Sequence, residues 1–183
     1  MVIPLKYKNY LHKPSKEWIL AMIVKCKAIF NQNTNEYLEI DPFGDLIQGY
    51  HYNVLAIELS NDGISYRINT DRDGLLSCSI PVLAKDFEIV STNIPDNWIL
   101  NKEFAELSPQ KWSDISLWEE SFWQDYFEDL PKATSCYREE IKTIVSADKD
   151  YIQTMIDERA DRDIFYTWQD TMLPLFAEVL EGR

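Results

Sequence analysis

Oxygen-rich turns, histidines and paired acids are the residues through which this chain could hold a metal or move a proton. Asn69-Thr70-Asp71-Arg72-Asp73-Gly74 matches the first half of a calcium loop, with oxygen ligands at alternate positions and a glycine at the sixth. The twelfth position is Ile80, where such a loop needs a bidentate carboxylate, and both flanks read as strands. A polar hairpin turn is the better reading. His12 and His51 are the only histidines, one in an N-terminal arm and one in a strand, with no Glu or Cys at ligand spacing. No supporting motif builds a zinc site or a Ser-His-Asp triad from them. Five glycines supply no phosphate loop, nucleophile elbow or dinucleotide fingerprint. Thirty-one acids bring carboxylates together by chance, and no pair is set apart as an acid and base. No catalytic residue, cofactor or metal is predicted.

The stretch Ile115–Leu130 is more specific. It alternates large aromatics with acids and contains no lysine or arginine. At helical spacing Ile115, Trp118, Phe122, Trp123, Tyr126, Phe127 and Leu130 gather on one apolar face. Glu119, Glu120, Gln124, Asp125, Glu128 and Asp129 fall on the other. Asp125 and Asp129 would be like charges one turn apart, and Glu128 and Asp129 would sit at a helix C-terminus that favours cations. A face built against its own local electrostatics points to a cationic partner outside the chain. Its aromatics have a simpler use, packing the helix onto its neighbours.

Charge is unevenly spread behind this stretch. The chain carries −13 overall; residues 1–60 balance, while residues 96–183 hold nine Lys/Arg against twenty Asp/Glu. No basic stripe exists to neutralise phosphates, so direct binding of nucleic acid or of an anionic membrane is disfavoured. Cys26, Cys78 and Cys136 lie far apart in no metal-like spacing and read as reduced core residues. The apolar run Trp18–Val24 is too short to span a bilayer, no signal peptide is visible, and a cytoplasmic location is expected. A chain of 183 residues buries about 70% of its unfolded surface, enough for a core without staples.

The elements that would position these groups divide in two. Residues Trp18–Phe30 and Glu36–Ile40 are strand-like. His51–Leu59 and Ile64–Asn69 form a hairpin through Ser60-Asn61-Asp62-Gly63. A further strand is expected over Leu75–Ile80, an irregular or 3₁₀ turn over Pro81–Lys85, and a last strand over Phe87–Val90. From Asn93 the pattern turns helical. Ser116 with Glu119 forms a capping box, and Pro131 stops that helix and begins the next. Tyr137, Ile141, Ile144 and Val145 make one apolar stripe, and Tyr151, Ile152, Met155 and Ile156 another. Glu158–Arg162 and Arg159–Asp163 would pair within their own helix. A last helix carries Phe165, Trp168, Met172, Leu175, Phe176 and Val179 on one face, with a kink expected at Pro174.

Two resemblances follow. Gly49-Tyr50-His51-Tyr52-Asn53-Val54-Leu55, then Ile80-Pro81 with Phe87-Glu88-Ile89-Val90 beyond it, resembles the strands of an SH3-like barrel. The aromatic groove of peptide-binding SH3 domains cannot be placed, so proline-peptide binding is not implied. Ile94-Pro95 to Trp98, Pro109 to Trp112, Phe122–Phe127 and Pro131-Lys132-Ala133 are similar to a pattern among small bacterial immunity proteins of toxin–immunity systems. That resemblance implies a non-enzymatic protein that blocks a basic, nuclease-like toxin, with Glu119, Glu120, Asp125, Glu128 and Asp129 as contacts and Tyr126 as an aromatic anchor at the rim.

The expectation is thus an α+β protein: an irregular arm over 1–19, an SH3-like antiparallel β-barrel over 20–92, and an acidic helical region over 93–183 packed on it as one unit. Its partner would be a basic protein such as a cognate toxin. Rival expectations are an acidic nucleic-acid mimic that inhibits a DNA-binding protein, a carboxylate-based enzyme, and a structural subunit that self-associates through the aromatic helix.

Overall fold

A computed structural model describes residues 22–31, 34–41, 46–60, 63–70, 79–102, 105–115, 122–160 and 166–182. The N-terminal arm with His12, the calcium-like turn from Asp71 onward, Cys78, and the Ser116–Glu119 capping box lie outside them.

The organising strand is β4 (His51–Ser60), whose first seven residues are all buried. Its apolar residues alternate onto both faces, so both faces must be covered. The expected hairpin to β5 (Gly63–Asn69) is present, with Ser60 Oγ donating to the Gly63 carbonyl at 3.2 Å. On its other edge β4 serves two partners. Residues 51–53 pair with β1 (Ile23–Cys26), and Ile57 and Glu58 pair with β9 (Glu106–Pro109). A register shift between Val54 and Ala56 accompanies the change of partner, as expected where a bulge bends a strand.

The remaining strands are β2 (Ile29–Asn31) with β3 (Glu36–Leu38), β6 (Ser79–Leu83), β7 (Phe87–Ser91) and β8 (Trp98–Asn101). The main order is β6-β5-β4-β1-β7, every pairing antiparallel. The α+β class expected from the sequence holds, with an antiparallel sheet followed by several helices. The sheet is open: β6 and β7 stand at the two ends of the path, and no pairing among the described residues joins them.

Two boundaries differ from expectation. Pro81 belongs to β6 and faces Arg67 in the ladder, and the 3₁₀ turn starts later, at Ala84–Asp86. A proline is tolerated there because β6 is terminal in the sheet and its outward position needs no N–H donor. Residues 98–109, expected in the helical part, instead form the β8–β9 hairpin, which extends the sheet from β4. Ala105 turns that hairpin at φ +52 with no glycine to announce it, and its carbonyl accepts the Leu59 N–H at 2.9 Å. Trp98 packs into the common core as expected.

Among the described residues five α-helices follow: α1 (Gln110–Ile115), α2 (Phe122–Phe127), α3 (Pro131–Ala147), α4 (Ile152–Arg159) and α5 (Tyr166–Glu181). Proline opens α3, and Tyr137, Ile141, Ile144 and Val145 are buried as their spacing required. Ile152 and Met155 of α4 and Met172 and Phe176 of α5 complete the core, and Pro174 lies inside α5.

The helix expected to run to Pro131 stops at Phe127. Leu130 N–H donates to the Asp125 carbonyl and Asp129 N–H to the Tyr126 carbonyl, both at 3.1 Å, with Asp129 at φ +55. These are the two bonds of a Schellman motif, and Asp129 holds the left-handed position that glycine prefers. Asp129→Gly is expected to raise stability by about 0.5 kcal/mol, net of glycine's larger entropy loss. The midpoint of urea unfolding measures it.

Candidate functional site

Of the described aromatics in the 115–130 stretch, Phe122, Trp123 and Tyr126 fold inward. Trp112 of α1 is fully buried and stacks on Phe122 of α2 at 4.6 Å with the ring planes 2° apart. Trp123 meets it edge-on at 4.9 Å, and Tyr137 of α3 lies 4.6 Å from Tyr126. Polar groups then fix α2 to the sheet. The Trp123 indole N–H donates to Glu106 Oε2 of β9 at 3.0 Å. The Arg67 guanidinium lies 4.6 Å over the Trp123 ring while its Nη2 is 2.6 Å from Glu58 Oε1 of β4.

This packing decides where the expected contact residues stand. Glu119 and Glu120 lie outside the described residues. Asp125 is only 4% exposed and Tyr126 only 6%, so neither offers a surface to a partner. Successive helical residues advance about 100°, which puts Asp125 beside Phe122 and Tyr126 on the buried side. The buried arc is shifted toward Asp125 and away from Phe127 relative to the phase that the pattern suggested, with Trp112 and Tyr137 packed on Phe122, Trp123 and Tyr126. Phe127 emerges at the opposite margin, 54% exposed. Glu128 and Asp129 follow it in the exposed turn. Gln124 Nε2 donates to Glu128 Oε1 at 3.3 Å, but among the described residues neither acid is paired with a lysine or arginine. Among the described residues of the stretch, the exposed ones are Gln124, the Phe127 ring, and two acids with no described cation beside them.

Compared with known protein families, curated proteins and solved structures, the chain matches none. No described helix is long and apolar enough to cross a membrane.

Other ionisable groups are committed to holding elements together. Glu158 of α4 accepts the His51 N–H at 2.9 Å, and its Oε1 lies 2.6 Å from His51 Nδ1. Arg159 is 2% exposed and donates to the His51 carbonyl at 3.1 Å. The expected pairs with Arg162 and Asp163 lie outside the described residues. Glu158 and Arg159 thus tie α4 to the start of β4. Asp148 accepts Ser91 Oγ at 2.6 Å and Asn93 Nδ2 at 2.7 Å, joining the α3–α4 junction to the end of β7.

Acid–base chemistry has one structural candidate. Glu58 and Glu106 face each other across β4 and β9. Burial pushes the Glu106 carboxyl above the usual carboxylate range and the Glu58 charge adds to the rise, while the Trp123 N–H and the Arg67 charge work against it. Neither acid lines the groove of about 370 Å³ between α1 and α3, whose walls are Lys111, Asp114, Lys132, Ser135, Cys136 and Glu139. In that groove burial pushes the Cys136 thiol up to about 11, so at neutral pH it is protonated and a poor nucleophile. Lys111 is engaged by Glu139 at 3.3 Å and by Glu140 at 3.1 Å. Among the described residues no three His, Cys, Asp or Glu side chains are grouped to hold a metal ion.

The raised Glu106 carboxyl binds its proton more tightly when the chain is folded. Its contribution to stability therefore falls as pH rises from the ordinary carboxylate value through the folded one, and the full cost is present above that. Glu106→Gln keeps an acceptor for Trp123 without the charge. It is expected to stabilise at pH 7–8 by on the order of 1 kcal/mol, about 2–4 °C in Tm for a chain of this length, and to flatten that part of the pH profile. Thermal unfolding across pH 4–8 measures both.

Sequence reasoning missed Phe127 as the exposed aromatic, and it missed Glu106, Arg67, Glu158 and Arg159 as polar fasteners. The only local signal was the charge itself: Arg67 and Glu58 sit within strands that otherwise read as core, and Glu106 in a segment that did not read as a strand.

Proposed function

We propose that this chain is a non-enzymatic binding protein that neutralises a basic protein, of the kind found in bacterial toxin–immunity pairs. The observation that carries the proposal is Phe127 at 54% exposure beside Glu128 and Asp129, two acids with no described cation to pair with. An exposed aromatic rimmed by uncompensated charge supplies apolar area for a contact and electrostatic selection of its partner. The surrounding sequence deepens the field, with twenty acids against nine bases over residues 96–183. A field of that sign speeds encounter with a cationic surface and repels nucleic acid.

The scaffold beneath is best read as a variant of the SH3-like barrel. Support comes from the run β5-β4-β1-β7 and from the 3₁₀ turn that precedes β7.

The test is affinity capture from cells of the source organism with the wild-type chain, Phe127→Ala, and the double variant Glu128→Lys with Asp129→Lys. The expected outcome is a basic protein retained by wild type, released by salt, weakened about tenfold or more by Phe127→Ala and lost with the charge reversal. Urea unfolding of the three chains separates loss of the contact from loss of the fold, since Phe127 also touches Tyr126 and Asp129 holds the left-handed turn. Capture of an acidic partner, or equal capture by the charge-reversed chain, would refute the proposal.

A further inference from the structure

Asn53 and Asn69 are almost completely buried, at 3% and 4% exposure, in the layer between the sheet and the last two helices. Val54 pairs with Ile68 across β4 and β5, so these asparagines are the next residues on the two strands and stand side by side. Their carboxamides behave alike. Asn53 Nδ2 donates to Met155 Sδ of α4 at 3.6 Å, and Asn69 Nδ2 donates to Met172 Sδ of α5 at 3.1 Å. A thioether is a weak acceptor. Both Oδ1 atoms are buried, and among the described residues neither has a hydrogen-bond partner.

Two neighbouring orphans of one kind are unusual, because buried polar atoms in folded proteins are nearly always satisfied. What both lack is a donor. Neighbouring residues on paired strands have Cβ atoms about 4.5–5.5 Å apart, a span that two ordinary hydrogen bonds to one small molecule cover. Water has two donor hydrogens for the two oxygens.

We propose that Asn53 and Asn69 form a binding site for one buried water molecule, which bridges their side-chain oxygens beneath α4 and α5. The water completes the polar layer through which the sheet carries these helices. It also accounts for two amides at positions where leucine would otherwise serve.

The test uses the whole chain with isotope-labelled methionine methyl groups. Nuclear Overhauser transfer from water to the Met155 and Met172 methyls and to both Asn side-chain amides is expected, with the sign of a water held longer than the tumbling time. The substitutions Asn53→Leu and Asn69→Leu give a second measure. With a bridging water, each single change strands the other oxygen and lowers the urea midpoint, and the double variant loses less than the two losses summed. Without it, each change relieves an orphan and raises the midpoint. Absence of transfer in the wild-type chain, or single variants that gain stability, overturns the proposal.

Discussion

Trp112→Ala is expected to cost about 3–5 kcal/mol, the range for removing a large buried aromatic, and so to consume much of a marginal fold's stability. Trp112 is fully buried where α1, α2 and α3 meet. One ring face stacks on Phe122 at 4.6 Å, Trp123 meets it edge-on at 4.9 Å, and Tyr137 lies 6.0 Å away. Its removal leaves those three rings around a void, and α2, with six residues, has too few hydrogen bonds of its own to hold its place. Trp112→Phe separates packing from polarity. Among the described residues the buried indole N–H has no partner, so the phenyl ring discards an unsatisfied donor while keeping most of the contact. A loss of about 1–2 kcal/mol is expected for it. Urea unfolding followed by circular dichroism measures both. Equal losses for the two variants would show that the cavity does not set the cost.

Arg159→Ala is expected to cost about 3 kcal/mol, the lower end for breaking a buried charged cluster. Arg159 Nη2 donates to the His51 carbonyl at 3.1 Å and Nη1 to the Met155 carbonyl at 3.2 Å. The guanidinium also lies 5.3 Å from the Tyr50 ring and 5.2 Å from the Tyr52 ring. Alanine leaves the two rings without their cation and removes one polar tie of α4 to the start of β4, leaving the Glu158–His51 contact. Lysine brings a compact charge with no planar fork, so Arg159→Lys should recover little. Hydrogen exchange at the α4 amides, Ile152–Arg159, should accelerate in both variants while exchange in β4 and β5 changes less. Full rescue by lysine would show that charge alone matters at this position.

The Arg159 variants probe packing away from the exposed turn that follows α2. Asp129→Gly acts there in the opposite sense, gaining stability while removing one acid from the proposed contact. A chain that is more stable and binds less well would separate the two roles of Asp129.

Much of the architecture was legible because it is local. Ser60-Asn61-Asp62-Gly63 between two apolar runs can hardly be other than a hairpin, and Pro131 ahead of Tyr137, Ile141, Ile144 and Val145 marks both the start and the inner face of α3. Such features depend on neighbours a few residues away, so turn chemistry and periodicity reveal them. The β8–β9 hairpin left no such mark. Its strands have four residues each, its turn uses Ala105 in a left-handed conformation, and its place is set by pairing with Ile57 and Glu58, about 50 residues back in the chain. Pairing at that range leaves nothing in a local pattern to read.

The stretch from Ile115 to Leu130 divides along the same line. By itself the sequence determined that it would be aromatic, acidic and unbalanced in charge, and that its rings would be used for packing. Only the tertiary structure decided that Asp125 turns inward and Phe127 outward. A six-residue helix has no long stripe to fix its rotation, so Trp112 and Tyr137 chose its buried face.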